Sequence, residues 1–288
     1  MHTLTLIARP GALEPALVEA LRNAWGGGEA VWLSPDEAAE FDVSEVPGNR
    51  WQVWEELQAR GVDLVVQPAG ERRKRMLLAD MDCTMTEQEC IDELAEMAGV
   101  GDAVRAITRR AMNGELDFEG ALRARVALMR GLPEAALEQV WRERISYMPG
   151  GRTLVATMKA HGGHAVLVSG GFSYFAERVA AGLGFDEHRA NRLLIEGGVV
   201  TGQVAEPILG RDAKVRALEE ITARLGIDAQ DVLAVGDGAN DLGMLARAGT
   251  GVALHAKPAV AAQCEVRINH GDLTALLFLQ GYARDEFV

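Results

Sequence analysis

LLADMDCTM, residues 77–85, decides how the rest of the chain is read. Three apolar residues lead into aspartates at 80 and 82, then a thiol at 83 and a hydroxyl at 84. In an extended segment residues i and i+2 point the same way, so Asp80 and Asp82 converge just past the end of a buried strand. Carboxylates that close repel, and one of them is expected to hold its proton above the usual range. That permits a division of labour, one group acting as nucleophile or metal ligand while the other carries a proton. The plainer alternative is that both acids end a strand and face water.

Downstream, strands and helices alternate. HAVLVSGG runs into glycines, SYFAERVAAGLG is a helix with a glycine stop, and NRLLIEGGVVTGQV reads as a hairpin turned at Gly197-Gly198. A helix is expected around 212–225, then the strand of DVLAVGDGAND, then short strands in TGVALHA and EVRIN. This rhythm predicts an α/β fold: a mostly parallel sheet covered on both faces, with ligands at the carboxyl ends of its strands. Residues 86–146 are helical in character, with apolar stripes at Ile91, Leu94, Ala98 and at Phe118, Leu122, Val126. They form an insertion over that edge of the sheet, a cap or lid.

Upstream, residues 1–70 read as a small α/β unit. Leu4, Leu6 and Ala8 alternate along a strand, Leu13, Leu17 and Leu21 follow at helical spacing, and WQVWEELQARG and VDLVVQ supply a second helix and another strand. The third strand of a full βαββαβ unit is poorly marked near FDVSEV. The run ERRKR, 71–75, looks like a solvated joint to a larger domain spanning 76–288.

The 288 residues are 48% hydrophobic and carry a net charge of −13. Such a chain can bury a real core. It lacks the clustered Lys and Arg that nucleic acid requires, although a small phosphate ligand needs only a local positive pocket. Three cysteines without a CxxC pair argue against a disulfide framework or zinc knuckle and fit a reducing cytoplasm. The start MHTLTLIARPGALEP has no basic n-region, apolar core and cleavage site, so no secretion signal is expected. No apolar run approaches the ~20 residues of a membrane span.

Four places carry candidate chemistry: Asp80 and Asp82, Ser169-Gly170, Lys214, and Gly236 to Asp241. Asp237 completes a hard oxygen site that suits magnesium. Ser169 and the amides beside it can hold phosphate oxygens, although Ser-Gly-Gly is also an ordinary turn. Lys214 is a cation able to balance acids and phosphate, or simply a solvated helix charge. GDGAND packs glycines, Asn240 and two acids into six residues, or opens a helix with a cap. There is no GxxxxGK[ST] loop, no HExxH and no GxSxG elbow.

In that order, DxDxT at 80–84, SGG at 169–171, Lys214 and GDGAND at 236–241 resemble the haloacid dehalogenase (HAD)-like hydrolases. EQECIDELAEMAGV, FEGALRARVALM and SGGFSYF…ANRLLIEGGVVTG are similar to the branch of that family that hydrolyses O-phospho-L-serine at the end of serine biosynthesis. The resemblance covers about residues 76–285, and residues 1–70 correspond to a variable region that is often ACT-like.

It implies a HAD-like Rossmannoid sheet with an inserted helical cap, a magnesium-dependent phosphatase, and a small-molecule substrate. In that scheme Asp80 is the nucleophile, ionised at neutral pH, and Asp82 the proton carrier. Mg2+ is bound by Asp80, the Asp82 carbonyl and Asp237, with Asp241 behind them. Ser169, Gly170, Lys214 and Asn240 hold the phosphoryl group. Glu89 matches the position that takes the substrate ammonium, Arg125 its carboxylate, and Met112 and Phe118 close over the site. Cys83 stands where the family usually has serine, and an exposed thiol there is expected to add oxidation sensitivity. A HAD-type enzyme for another small phosphate ester, a phosphotransferase, a receiver-like signalling domain and an inactive amino-acid sensor are the rival readings. An oligomer is compatible with the sequence.

Overall fold

The structure, a computed structural model, describes residues 1–112 and 115–288, without the side chain of Met112. The N-terminal elements are β1 (His2–Ala8), α1 (Pro15–Ala24), β2 (Val31–Ser34), β3 (Ala38–Val43), α2 (Arg50–Gln58) and β4 (Val62–Pro68). Their antiparallel sheet has the order β2-β3-β1-β4. The poorly marked strand is therefore present as β3. Ala38 and Ala39 have little strand preference of their own. The strand forms because it lies between β2 and β1, where Ala38, Ala39, Phe41 and Val43 are buried.

The expected solvated joint is in fact pinned. The Arg72 guanidinium donates to both oxygens of Glu40, at 2.7 and 2.8 Å. Arg73 pairs with Glu286 at 2.7 Å and lies 3.9 Å over the Tyr282 ring. Nearby, the buried carboxylate of Asp63 in β4 accepts three backbone N–H groups, from Asn269, His270 and Gly271, at 2.8–2.9 Å. Periodicity along 71–75 carries no trace of partners more than 30 residues away.

The larger unit runs β5 (Met76–Ala79), α3 (Cys90–Met97), α4 (Gly101–Met112), α5 (Phe118–Leu128), α6 (Ala135–Arg144), α7 (Gly151–Ala160), β6 (His164–Phe172), α8 (Ser173–Leu183) and β7 (Glu187–Asn191). It continues with β8 (Leu193–Glu196), β9 (Val199–Val204), α9 (Arg211–Leu225), β10 (Val232–Gly236), α10 (Leu242–Arg247), β11 (Thr250–Leu254), α11 (Pro258–Ala261), β12 (Val266–Ile268) and α12 (Ala275–Leu279). Six strands form one sheet in the order β12-β11-β10-β5-β6-β7, and every pairing in it is parallel.

MLLA and VLAVG are continuous apolar runs because both faces of β5 and β10 are covered. Helices α7 and α8 pack on one face, and α9 and α10 on the other. Strand β5 lies between β10 and β6, so the chain leaves it toward one side and returns to the other. That is the switch point at which open parallel sheets form a crevice.

Helices α3 to α6 rise from a narrow root. Glu87 N–H donates to Ser146 O and Met148 N–H to Met85 O, both at 3.0 Å. Ile91, Leu94, Leu122 and Val126 are buried along their stripes, and the β8–β9 hairpin packs on α5. Phe118 is only half-buried, since it faces another surface.

Candidate active site

Asp80 follows β5 directly, and its N–H donates to Val235 O of β10 at 3.0 Å. The chain then turns tightly. Met81 O accepts from the N–H groups of Thr84, Met85 and Thr86, and Cys83 adopts φ +55°. Asp80 and Asp82 are thereby held at the carboxyl edge of the sheet. They do not face bulk water: Asp80 is 5% exposed.

Lys214, on α9, is 2% exposed, so it is not a solvated helix charge. Its ammonium donates to Asp80 Oδ1 and, at 2.5 Å, to Asp241 Oδ1. Asp241 is fully buried, and its Oδ2 accepts from Gly238 N–H at 2.9 Å. Thus Lys214 ties the end of β5 to the loop after β10, across 134 residues of sequence on one side and 27 on the other.

The Asp82 carboxylate is oriented from two sides. Oδ1 accepts from the N–H of Cys90, the first residue of α3, at 2.9 Å. Oδ2 accepts from Ser169 Oγ at 3.2 Å. A carboxylate at a helix N-terminus satisfies an otherwise unpaired donor and meets the positive end of the helix dipole. The root of the cap is therefore docked on Asp82 itself.

Ser169-Gly170-Gly171 lies where the pairing of β6 with β7 is interrupted, between Val168 and Phe172. An interrupted ladder leaves backbone groups free to meet a ligand. A Cβ on Gly171 would sit 2.6 Å from Asp82 Oδ2, and one on Gly170 would sit 2.8 Å from Phe118 Cζ. Only glycine admits these approaches. The Phe118 ring also lies 3.3 Å from the Cβ position of Gly210, so the cap rests on both walls of the site.

Asn191 was not singled out by sequence reasoning. It is 2% exposed, and its Nδ2 donates to Gly170 O at 2.9 Å and Leu209 O at 3.2 Å. Its Oδ1 accepts from Leu209 N–H at 2.7 Å. It clamps the Ser-Gly-Gly segment to the loop that leads into the Lys214 helix. The only sequence signal was its place in the similar stretch ANRLLIEGG; an isolated asparagine before a strand reads as a turn residue.

Burial dominates the electrostatics. Desolvation pushes Asp80 well above its ordinary range, with Asp241 adding to the rise and Lys214 opposing it. Asp82 is raised by burial too, against the hydrogen bonds from Cys90 and Ser169. Both acids therefore rise, chiefly through desolvation rather than mutual repulsion.

Asp237 is pushed up to about 6 by burial and by Asp241. Glu89, at the N-cap of α3, is raised by burial and Asp82, with Arg125 opposing. The Cys83 thiol is half-buried and pushed up to about 12 by desolvation, Glu89 and Asp237. It is neither the exposed thiol expected nor rich in thiolate, the form that reacts with oxidants.

One oxygen each from Asp80, Asp237 and Asp241 lies within 4.8 Å of the others. Three carboxylates against a single ammonium leave an excess of buried negative charge. Carboxylate oxygens with room for water or phosphate suit a hard divalent cation, and these residues fit one. Asp241 brings an oxygen near this cluster, but its two oxygens already accept from Lys214 and from Gly238 N–H, while the Asp82 side chain is turned away toward Cys90 and Ser169. Asn240 places its Oδ1 2.4 Å from the Cβ position of Gly238, within the same loop. Arg125 is half-buried on α5, with Nε donating to Ala121 O at 3.3 Å. The side chain of Met112, expected to close over the site, lies outside the described residues.

A family model described as haloacid dehalogenase-like hydrolase matches residues 77–246. The chain is 46% identical over 204 residues to phosphoserine phosphatase of Haemophilus influenzae, covering 71% of this chain and 65% of that protein's length. A HAD family hydrolase from Salmonella enterica serovar Typhi superposes with a TM-score of 0.87 at 28% identity, covering 99% of this chain and all of the other. A phospho-aspartyl intermediate analogue of phosphoserine phosphatase superposes with a TM-score of 0.67 at 38% identity, over 72% of this chain and 98% of that one.

Proposed function

The chain belongs to the haloacid dehalogenase-like hydrolases, and on that premise we propose that it is a magnesium-dependent phosphatase converting O-phospho-L-serine to L-serine and phosphate, the end of serine biosynthesis. The observation that carries this reading is the buried Asp80–Lys214–Asp241 bridge, with Asp82 held beside it at the root of the cap. Relatives named phosphoserine phosphatase at 40–46% identity support the substrate.

A carboxylate oxygen of Asp80 attacks phosphorus, and the bond from phosphorus to the serine oxygen breaks as Asp82 gives that oxygen its proton. Water then attacks the aspartyl phosphate and gives a proton to Asp82, and the phosphorus–Asp80 bond breaks to release phosphate. Ser169, Gly170 and Lys214 hold the phosphoryl oxygens, with Asn240 at the same end. Asp80, Asp237 and the Asp82 carbonyl would hold Mg2+, with Asp241 behind them. When bound, the cation neutralises charge on Asp80 and the phosphoryl group. Glu89 takes the substrate ammonium and Arg125 its carboxylate, the latter in the bidentate manner suited to guanidinium. Phe118 closes the cap over them.

We read residues 1–70 as a separate ACT-like domain, supported by its own βαββαβ sheet, and 76–288 as the phosphatase domain with the cap at about 86–146. No helix among the described residues is long and apolar enough to cross a membrane, and Cys83, Cys90 and Cys264 are free. We place the enzyme in the cytoplasm, with a small molecule as its substrate.

The test is phosphate release with Mg2+ from L-phosphoserine, phosphothreonine, a sugar phosphate and p-nitrophenyl phosphate, with Asp80→Asn as control. Strong preference for phosphoserine, lost in the variant, is expected. Turnover of the generic ester without phosphoserine would discard the roles of Glu89 and Arg125. A stable phosphoprotein would instead favour a signalling domain.

A further inference from the structure

A cleft of about 610 Å3 separates the N-terminal sheet from the phosphatase sheet. Its volume lies within the ~300–1,000 Å3 of small-molecule sites, which favour such junctions. None of Asp80, Asp82, Ser169, Lys214 or Asp237 lines it. Val66 and Arg50 come from the N-terminal unit, Lys74 from the joint, and Leu242, Leu245 and Ala246 from α10.

The cations of the cleft are not equivalent. Arg50 is paired with Glu265 at 2.6 Å, and Arg72 with Glu40. Lys74 is half-buried and donates to a backbone carbonyl, Gln230 O, at 2.9 Å. Among the described residues no carboxylate lies within salt-bridge distance of it. Arg50 and Arg72 are thus neutralised by their partners, and Lys74, with Asp231 and Glu71 nearby but neither in a salt bridge with it, is the cation left to meet a ligand.

The wall formed by α10 leads directly to the active site. Asp241 precedes α10 and accepts Leu245 N–H on its carbonyl at 2.9 Å, while its side chain holds Lys214. The Cβ position of Gly243 is 2.9 Å from Val215 Cγ2, so α10 is pressed on α9 beside Lys214. The Cβ position of Gly251 in β11 is 2.1 Å from Leu245 O. Helix α10 therefore has no slack, and an element packed at this density transmits a shift rather than absorbing it.

We propose that this cleft binds a small organic anion with an apolar body, its charge on Lys74 and its body on Leu242, Leu245 and Val66, and that occupancy acts on catalysis through α10. Between two binding equilibria such coupling is reciprocal and typically about 5–150-fold, whereas an effect on kcat need not be symmetric.

The experiment titrates the full chain with benzoate by calorimetry, with benzamide as its neutral counterpart, in wild type, Lys74→Ala and Ala246→Trp. Binding is read without reference to the reaction, so an error in the substrate assignment leaves it intact. The expected result is benzoate binding at least tenfold tighter than benzamide, lost in both variants and unaffected by inorganic phosphate. Benzoate should also change kcat for a turned-over phosphate ester at least fivefold in wild type, and not in Lys74→Ala. No benzoate binding, equal binding of the two probes, binding unchanged by Lys74→Ala, displacement by inorganic phosphate, or an unchanged kcat would each overturn the proposal. Lys74→Ala carries the test if Ala246→Trp does not fold.

Discussion

The Cys90 N–H donates to Asp82 Oδ1 at 2.9 Å, so the proposed proton carrier also caps the first helix of the cap. The two roles separate by substitution. Asn at position 82 keeps an oxygen for the Cys90 donor but cannot relay a proton. Asp82→Asn should lower kcat by about 10²–10⁴-fold with little change in thermal stability. Asp82→Ala should lose both activity and the cap dock, lowering Tm as well. Steady-state kinetics beside thermal melts decide it, and an active Asp82→Asn would end the proton role.

Removing Lys214 leaves Asp80 and Asp241 facing each other, buried and unbalanced. Breaking a buried pair from one side costs about 3–5 kcal/mol. Lys214→Met should show a loss of that order in urea unfolding without metal, and Mg2+ should recover part of it by replacing the missing positive charge. A loss under about 1 kcal/mol would mean that the bridge contributes little.

Asp237 retains its proton to about pH 6 in the metal-free fold. Its folded pKa lies above its unfolded one, so the folded state binds more protons between the two. Metal-free stability should therefore fall as pH rises from about 4 to 6. Asp80 and Asp82 shift in the same direction and add to the fall. A cation competes with that proton, so the Tm rise produced by Mg2+ should be small at pH 5 and larger at pH 7.5. In Asp237→Asn the rise should be small at both. An equal Mg2+ effect at both pH values in wild type would contradict the assignment.

Asn191 satisfies Gly170 O and both backbone groups of Leu209. Asn191→Asp retains the acceptor but sets a carboxylate against two carbonyls, and Asn191→Ala loses all three bonds. Each should lower kcat/KM, by up to about 10²-fold if the phosphate-holding turn moves by an ångström. A kcat/KM within twofold of wild type, with only Tm lowered, would make Asn191 a structural residue alone.

Much of the site was legible because its parts are local. MLLA runs into Asp80, the β8–β9 hairpin turns at Gly197-Gly198, and GDGAND follows VLAV, each within a few covalent bonds. The α/β order follows from the same short-range periodicity. β3 was faint because its alanines carry no signal until neighbours cover them. Asn191 was missed for the same reason, its partners being 18 and 21 residues away.

Residue type and spacing along the chain set which groups stand at the site: Asp80, Asp82, Ser169, Lys214 and Asp237, in an order that marks the family. Tertiary structure alone decided their state. It buried Lys214 between Asp80 and Asp241, turned Asp82 onto the root of the cap, raised the acids by desolvation, and opened a cleft against α10. The physical reason is that residue type and spacing are short-range properties of the chain. Dielectric environment, hydrogen-bond partners and void volume depend on which distant elements pack over a residue.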